Sequence, residues 1–437
     1  MPLSGGTFTD GRYTKPFAGA YVNTISINGL VDQYGERGYT AIPIELSWCP
    51  DGEVFTISAD TIRENALYVL GYNYEDEKLK YIRETLRGAS VIHLRKLNSN
   101  GAKASCTISE ANYNGGRGNN ISHTVQYSAR TTGEDIYYDV TTYVETKKVE
   151  TQTVKTAAEL KKNNFVTFKT GAVLAITAGI SLTGGSDGIV TVADHQAALG
   201  QLSNYYFNTL ICGSSDRAVK DMYIEYTKDK ADNKGKKFQV IVHNIDDANH
   251  ERVIATPNNT IPDLVYWIGG KRAGIDINKS LVDTVYDGEL EVDVKNYVDI
   301  DYENFIKKGQ FVFYSDGGTI KVLADINTLI TTTETKGEWF KDNQAICIAD
   351  QSAMDKAKEF NNNFLAKIPN DEQGRLSFWN FITTYNKDFL QDKKRVITNY
   401  DPSKTEVFKI DKKKIGCKEF LEGVNAFEQL YLTTVFV

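Results

Sequence analysis

Histidine, methionine and proline are scarce in this 437-residue chain, which has 5, 3 and 8 of them. So few histidines thin the supply of metal ligands and proton shuttles, although they do not exclude an enzyme. The five cysteines (Cys49, Cys106, Cys212, Cys347, Cys417) are odd in number, scattered and without a CxxC pair. That argues against a disulfide framework or a zinc site and favours the reduced thiols of a cytoplasm. No long apolar run is present. The most apolar-leaning stretch, Gly171 to Leu182, is too short to span a bilayer and contains Thr and Gly. The opening MPLSGGTFTDGRYTKPF lacks the apolar core of a secretory signal. Positive charge is not in excess either: Lys+Arg is 50 against Asp+Glu 57, a net charge of −7, which gives no electrostatic support for nucleic-acid binding. With 34 Gly and 8 Pro, collagen-like and low-complexity classes are excluded. No cofactor, no metal, no membrane contact and no direct nucleic-acid partner are therefore expected.

What remains is an ordinary folded composition, 41% hydrophobic and 24% charged, long enough for roughly three domains. No fixed-period repeat is visible, yet the texture changes along the chain. Residues 1–30 read as a Gly/Ser/Thr-rich arm followed by a short β-type run, AYVNTISI. Residues 31–97 read as a small inserted α/β unit, with a helix near Asp60, a second carrying Leu79, Ile82 and Leu86, and the strand ASVIHLRKL. Residues 98–185 are rich in Thr, Val, Tyr and Ile and broken by Asn/Gly turns, which predicts a β-sandwich or barrel-like insert. Residues 186–340 alternate strand and helix and predict the α/β core, closed by a hairpin at Asp316-Gly317-Gly318. Residues 341–437 predict helices near 352–366 and 371–390, a short helix over 417–428 and a final strand, QLYLTTVFV. The fold class is thus α/β and multidomain, with a β insert and extended N- and C-terminal arms.

Chemistry-bearing motifs are sparse. HNIDDANH puts His243, Asp246, Asp247 and His250 close together, but without helical ligand spacing it reads better as a polar hairpin loop than as a metal site. Gly213-Ser214-Ser215-Asp216 follows a strand and opens a helix, where phosphates can bind. It lacks GxxxxGK[ST], GxGxxG and GxSxG, and Ser and Asp at a helix start are what an N-cap requires. An α/β enzyme or phosphate-binding protein using Ser214, Ser215 and Asp216 is the alternative reading. The densest glycine motif, Leu182 to Gly188 (LTGGSDG), reads as a domain-boundary turn.

Charge is locally segregated. Residues 274–304 hold nine acids and two bases; residues 387–414 hold nine bases and five acids. Contacts between copies through complementary patches are one reading, with Asp293, Asp299 and Asp301 facing Lys412, Lys413 and Lys414. The two ends offer edge strands for pairing with other chains, through Tyr21, Val22, Ile25 and Ile27 at one end and Leu430, Leu432, Val435 and Val437 at the other. If each end meets a different neighbour, the contacts are heterologous and build rings or helical filaments.

Five landmarks in order then resemble one family. They are Lys15-Pro16 leading into Gly19-Ala20-Tyr21-Val22, the turn Gly116-Arg117-Gly118-Asn119-Asn120-Ile121, the LTGGSDG motif, Ile326-Asn327-Thr328-Leu329 after a hairpin, and Asn425-Ala426-Phe427-Glu428-Gln429-Leu430-Tyr431 near the end. Together they resemble the contractile tail sheath proteins of myophages, PBSX-like prophage particles and R-type bacteriocins. The opening KPFAGAYV departs from the family's usual Arg-Pro-Gly-type start. The resemblance implies a non-enzymatic subunit that stacks around an inner tail tube and whose two arms complete β-sheets in neighbouring copies. It also implies baseplate and tail-terminator partners, assembly in a host cytoplasm, and an extended state that stores the energy of contraction.

Overall fold

The computed structural model describes residues 36–294 and 296–434. Strand β1 (Tyr39–Ile44) is followed by β2 (Val54–Ser58), helices α1 (Ala59–Leu70) and α2 (Lys80–Leu86), and β3 (Val91–Lys96). The chain then leaves for a β domain made of β4 (Ser109–Ala111), β5 (Ile121–Tyr127), β6 (Tyr138–Val144), β7 (Lys147–Val154), β8 (Val166–Phe168) and β9 (Thr177–Ser181). It returns through α3 (Val192–Leu202), β10 (Thr209–Ile211), α4 (Arg217–Lys228), β11 (Gln239–His243), β12 (Val253–Thr256) and α5 (Leu264–Gly274).

β1, β2 and β3 join β10, β11 and β12 in one sheet of order β12-β11-β10-β1-β3-β2, parallel except for β2. The expected separation of a small unit over 31–97 from a core over 186–340 is therefore corrected: both segments build the same sheet, and the chain from Arg37 onward is one compact unit. The strands are apolar at successive positions because both faces are covered. Ile42, Ile211 and Ile241 point towards α5, while their neighbours Ala41, Leu210 and Val240 point towards α3 and α4. α2 packs on α5 closely enough that a Cβ at Gly270 would lie 2.0 Å from the Thr85 carbonyl oxygen. β11 and β12 run parallel, so HNIDDANH is not a hairpin loop; within it Asn244 and Asn249 are left-handed, at φ 54° and 43°.

In the β domain, the four-stranded sheet β7-β6-β5-β9 faces the pair β4-β8 over a core that includes Ile121, Val125, Val140, Phe165 and Phe168. Beyond α5 come α6 (Asp299–Lys307) and the hairpin β13 (Val312–Asp316) and β14 (Thr319–Ala324). The last part holds α7 (Asn343–Glu359), α8 (Glu372–Thr384), β15 (Ile397–Thr398), β16 (Glu406–Lys409), β17 (Ile415–Lys418) and β18 (Glu422–Gly423). α7 starts at Asn343 rather than near 352 because the Asp342 carboxylate accepts the Gln344 N–H at 2.8 Å and caps it. The helix expected over 417–428 is not formed. Cys417 and Lys418 end β17, and Gly423 pairs with Ile397 beneath the Trp339 ring, where a Cβ would lie 2.3 Å from Cζ2.

Candidate functional site

The glycine motifs of the sequence come together at one junction. The Asp187 carboxylate accepts the Ser47 hydroxyl (2.8 Å) and the Gly116 N–H (3.1 Å). Asn119 exchanges two 2.8 Å hydrogen bonds with the backbone of Gly185. The fully buried Lys96 ammonium lies 2.9 Å from Asp51, whose other oxygen takes the Asn114 N–H at 2.8 Å. These contacts fix the β domain to the central sheet. A second tie is wholly buried: Arg272 on α5 meets Asp325 at 2.9 Å and the Asn343 carbonyl at 2.7 Å, while Asn343 donates to Asp325 at 3.0 Å. Ile326–Leu329 closes the sheet edge. The Thr328 N–H reaches the Val253 carbonyl at 2.9 Å, and Asn327 donates to the Phe340 carbonyl at 2.8 Å.

The 213–216 loop is a helix cap. Asp216 accepts the Ala218 N–H at 2.8 Å, Ser214 accepts the Asp216 N–H at 3.1 Å, and the Tyr266 hydroxyl occupies the space that a Cβ on Gly213 would need. In an open α/β sheet this switch point between β1 and β10 is where ligands usually sit; here Tyr266 fills it. Of the HNIDDANH side chains, His243 bonds Thr256 (3.0 Å), Asp246 pairs with Lys308 (3.1 Å) and Asp247 with Arg217 (2.8 Å). His250 is grouped with Asp232 and Glu251 within 4.8 Å. Its Nδ1 accepts the Arg252 N–H at 3.1 Å, which leaves the proton on Nε2, aimed at Asp232 3.6 Å away. A protonated nitrogen does not bind a metal, and Lys336 already holds Glu251 at 2.8 Å. Burial lowers the pKa of all five histidines, to about 4 for His123 and His243.

The charged stretches are largely neutralised inside the chain. Asp276 pairs with Lys394 at 2.7 Å, so one contact between the acidic and the basic stretch is intramolecular. Asp283, Asp287 and Glu289 pair with Lys321, Lys271 and Arg83. Asp293 and Asp299 are exposed, whereas the Asp301 carboxylate accepts the Val298 N–H at 3.1 Å at the start of α6. Lys412, Lys413 and Lys414 are exposed in the turn between β16 and β17, with Lys414 paired to Asp411 at 3.2 Å.

β16 and β17 form a two-stranded sheet, and among the described residues neither edge is paired. Among the described residues, the segment after β18 is held at its root. Trp339 donates to Asn425 at 2.9 Å, Asn425 donates to Asp342, and Gln344 accepts the Ala426 N–H at 3.0 Å. Beyond this point Phe427, Leu430 and Leu432 are 104%, 84% and 76% exposed, outside any strand. Tyr21, Val22, Ile25, Ile27, Val435 and Val437 lie outside the described residues.

Three sequence profiles match in succession: the phage tail sheath protein beta-sandwich domain over 99–187, the central domain over 188–328 and the C-terminal domain over 335–437. The chain belongs to the phage tail sheath protein family. It is a structural subunit of a contractile tail sheath in a phage-tail particle. The sheath tail protein of Desulfitobacterium hafniense superposes with a TM-score of 0.80 at 29% identity, covering 95% of this chain and 99% of that one. The Listeria innocua sheath tail protein gives 0.79 at 28%, covering 93% and 96%. The phage-like element PBSX protein XkdK of Bacillus subtilis is 28% identical, over 88% of this chain and 89% of its own. The sheath fold thus explains the order of the motifs. The buried Arg272–Asp325 pair and the Trp339–Asn425 contact had no sequence signal, because isolated charged or polar residues look alike whether buried or not.

Proposed function

We propose that this subunit polymerises around an inner tail tube and contracts to drive the tube through a cell envelope, working by assembly rather than catalysis. Its partners are other copies of itself, the tube protein, the baseplate and a tail terminator, and it assembles in the host cytoplasm before taking its place in the particle. The linking strands are the N-terminal run with Tyr21, Val22, Ile25 and Ile27 and the C-terminal run with Leu430, Leu432, Val435 and Val437. The observation that carries this reading is the β16–β17 pair, whose outer edges are unpaired among the described residues, together with a tail in which Phe427, Leu430 and Leu432 are exposed. Isolated two-stranded sheets are marginal, and backbone groups at an open edge favour strand addition. The compact unit from Arg37 onward then serves as the body to which the linking runs belong.

Deleting residues 1–19, or the last eight residues, leaves the body folded and abolishes polymerisation. Negative-stain electron microscopy and thermal melting read the two effects separately. Tubes of sheath length from either truncation would remove that arm from the linkage.

A further inference from the structure

An open cleft of about 100 Å³ lies beside the β16–β17 turn, between the end of α7 and the start of α8. Its walls are Phe364, Leu365, Ile368 and Ile415, and its rim carries Arg375 and Lys413. Leu365 and Ile368 are 54% and 44% exposed, so among the described residues these apolar side chains stand largely uncovered. Arg375 donates to Asn370 through one terminal nitrogen, at 3.1 and 3.2 Å, and Lys413 projects from the turn; among the described residues neither is paired with a carboxylate. The cleft is therefore an apolar slot with a cationic rim.

One segment of the chain has the complementary pattern. In Phe427-Glu428-Gln429-Leu430, a fully exposed ring is followed at once by an acid and then by another exposed apolar residue. Glu428 makes no ion pair among the described residues, yet it contributes to the raised pKa of Asp342 at the tail root. The tail is clamped at Asn425 and Ala426 to the opposite, N-terminal end of α7. α7 is 17 residues long and the chain continues helically to Phe364, so the root and the cleft are separated by roughly 30 Å of helix at 1.5 Å per residue. Phe427 is one residue past the clamp and cannot cross that distance within its own chain.

We propose that the cleft receives the C-terminal segment of a second copy, with Phe427 in the slot between Leu365 and Ile368 and Glu428 against Arg375 and Lys413. The contact is heterologous, so each copy offers one tail and one cleft and the series does not end. An aromatic anchor in an apolar pocket with a charged rim is the arrangement that concentrates binding energy in few residues. This rests on self-assembly as the function and supplies the side-chain anchor for it.

The test uses full-length chains whose melting temperatures are first shown to be unchanged. E428R alone and R375E/K413E alone each raise the critical concentration for assembly about tenfold or more, read by sedimentation and electron microscopy. Mixing the two restores assembly, because each tail then meets a cleft of opposite charge on the other chain. Single variants that assemble like wild type overturn the proposal. Rescue only when all three changes share one chain places the tail in its own cleft and overturns the assignment to a second copy. A fluorescein-labelled peptide of residues 424–434 should bind the full chain at least about tenfold more tightly than the L365D variant; equal or absent binding also overturns it. If wild type forms no tubes, the sheath reading fails, and the peptide titration still decides the cleft.

Discussion

Asp342 is the residue on which several demands meet. It caps α7, accepts from Asn425 at the tail root, and lies near Asp325 and Glu428. Burial, then those two carboxylates, raises its pKa from the usual 3.8 to about 6. The folded state therefore holds a proton that the unfolded state has lost between those values, and stability falls as pH rises through that window. Above pH 6 the full cost, about 3 kcal/mol, is present. Asp342→Asn retains a capping oxygen and removes the charge. It is expected to melt several degrees above wild type at pH 8, with the difference vanishing near pH 4; a constant offset across pH would show that charge is not the cause. Nothing in the sequence marked this residue, because its environment is assembled from α7, the Asp325 loop and the tail. Asp216 was legible for the opposite reason: its hydrogen bonds go to its own helix.

At the scale of elements, local signals served well where the partner was local. The β13–β14 hairpin was readable from Asp316-Gly317-Gly318, and α4 from its Asp216 cap. Two expectations failed for one physical reason. The segment 417–428 has helix-like apolar spacing, but Gly423 is held in extended form by Ile397 and Trp339, more than twenty residues away. β1 to β3 look like a separate unit until β10 pairs with β1, about 165 residues later. Periodicity carries no information about such pairings. The packing of α2 on α5 gives a direct test. A methyl group at Gly270 would have to displace the end of α2, so Gly270→Ala should cost about 1–3 kcal/mol despite its better helix propensity. Urea unfolding of the unassembled chain measures this, and an unchanged or higher midpoint would mean that α2 can shift at little cost.

For the whole molecule, the formal charge of −7 says little about contacts, since many of the acids of 274–304 are paired within the chain. The Lys412–Lys414 turn stands exposed between β16 and β17, with Lys414 held by Asp411 at 3.2 Å. If that turn faces an acidic surface of a neighbour, reversing Lys412, Lys413 and Lys414 to Glu weakens assembly, most at low ionic strength where screening is least. Light scattering against salt concentration checks it; assembly indifferent to the reversal would leave the turn as solvated surface. The family was legible from five short motifs in order, two of which, Gly116–Ile121 and Leu182–Gly188, meet where the β domain joins the central sheet. The proposed linking surfaces were legible only as exposed or edge-like sequence, since half of each such contact would belong to another chain.

The three hydrogen bonds at the tail root also define how the subunit carries tension. A pull on the chain beyond Ala426 enters at Trp339, Asp342 and Gln344, at the start of α7. From there it passes through Asn343 to the buried Asp325 and Arg272, and so into α5 and the central sheet. A pull applied there would be shared between the start of α7 and the buried Arg272–Asp325 pair rather than borne by the tail alone.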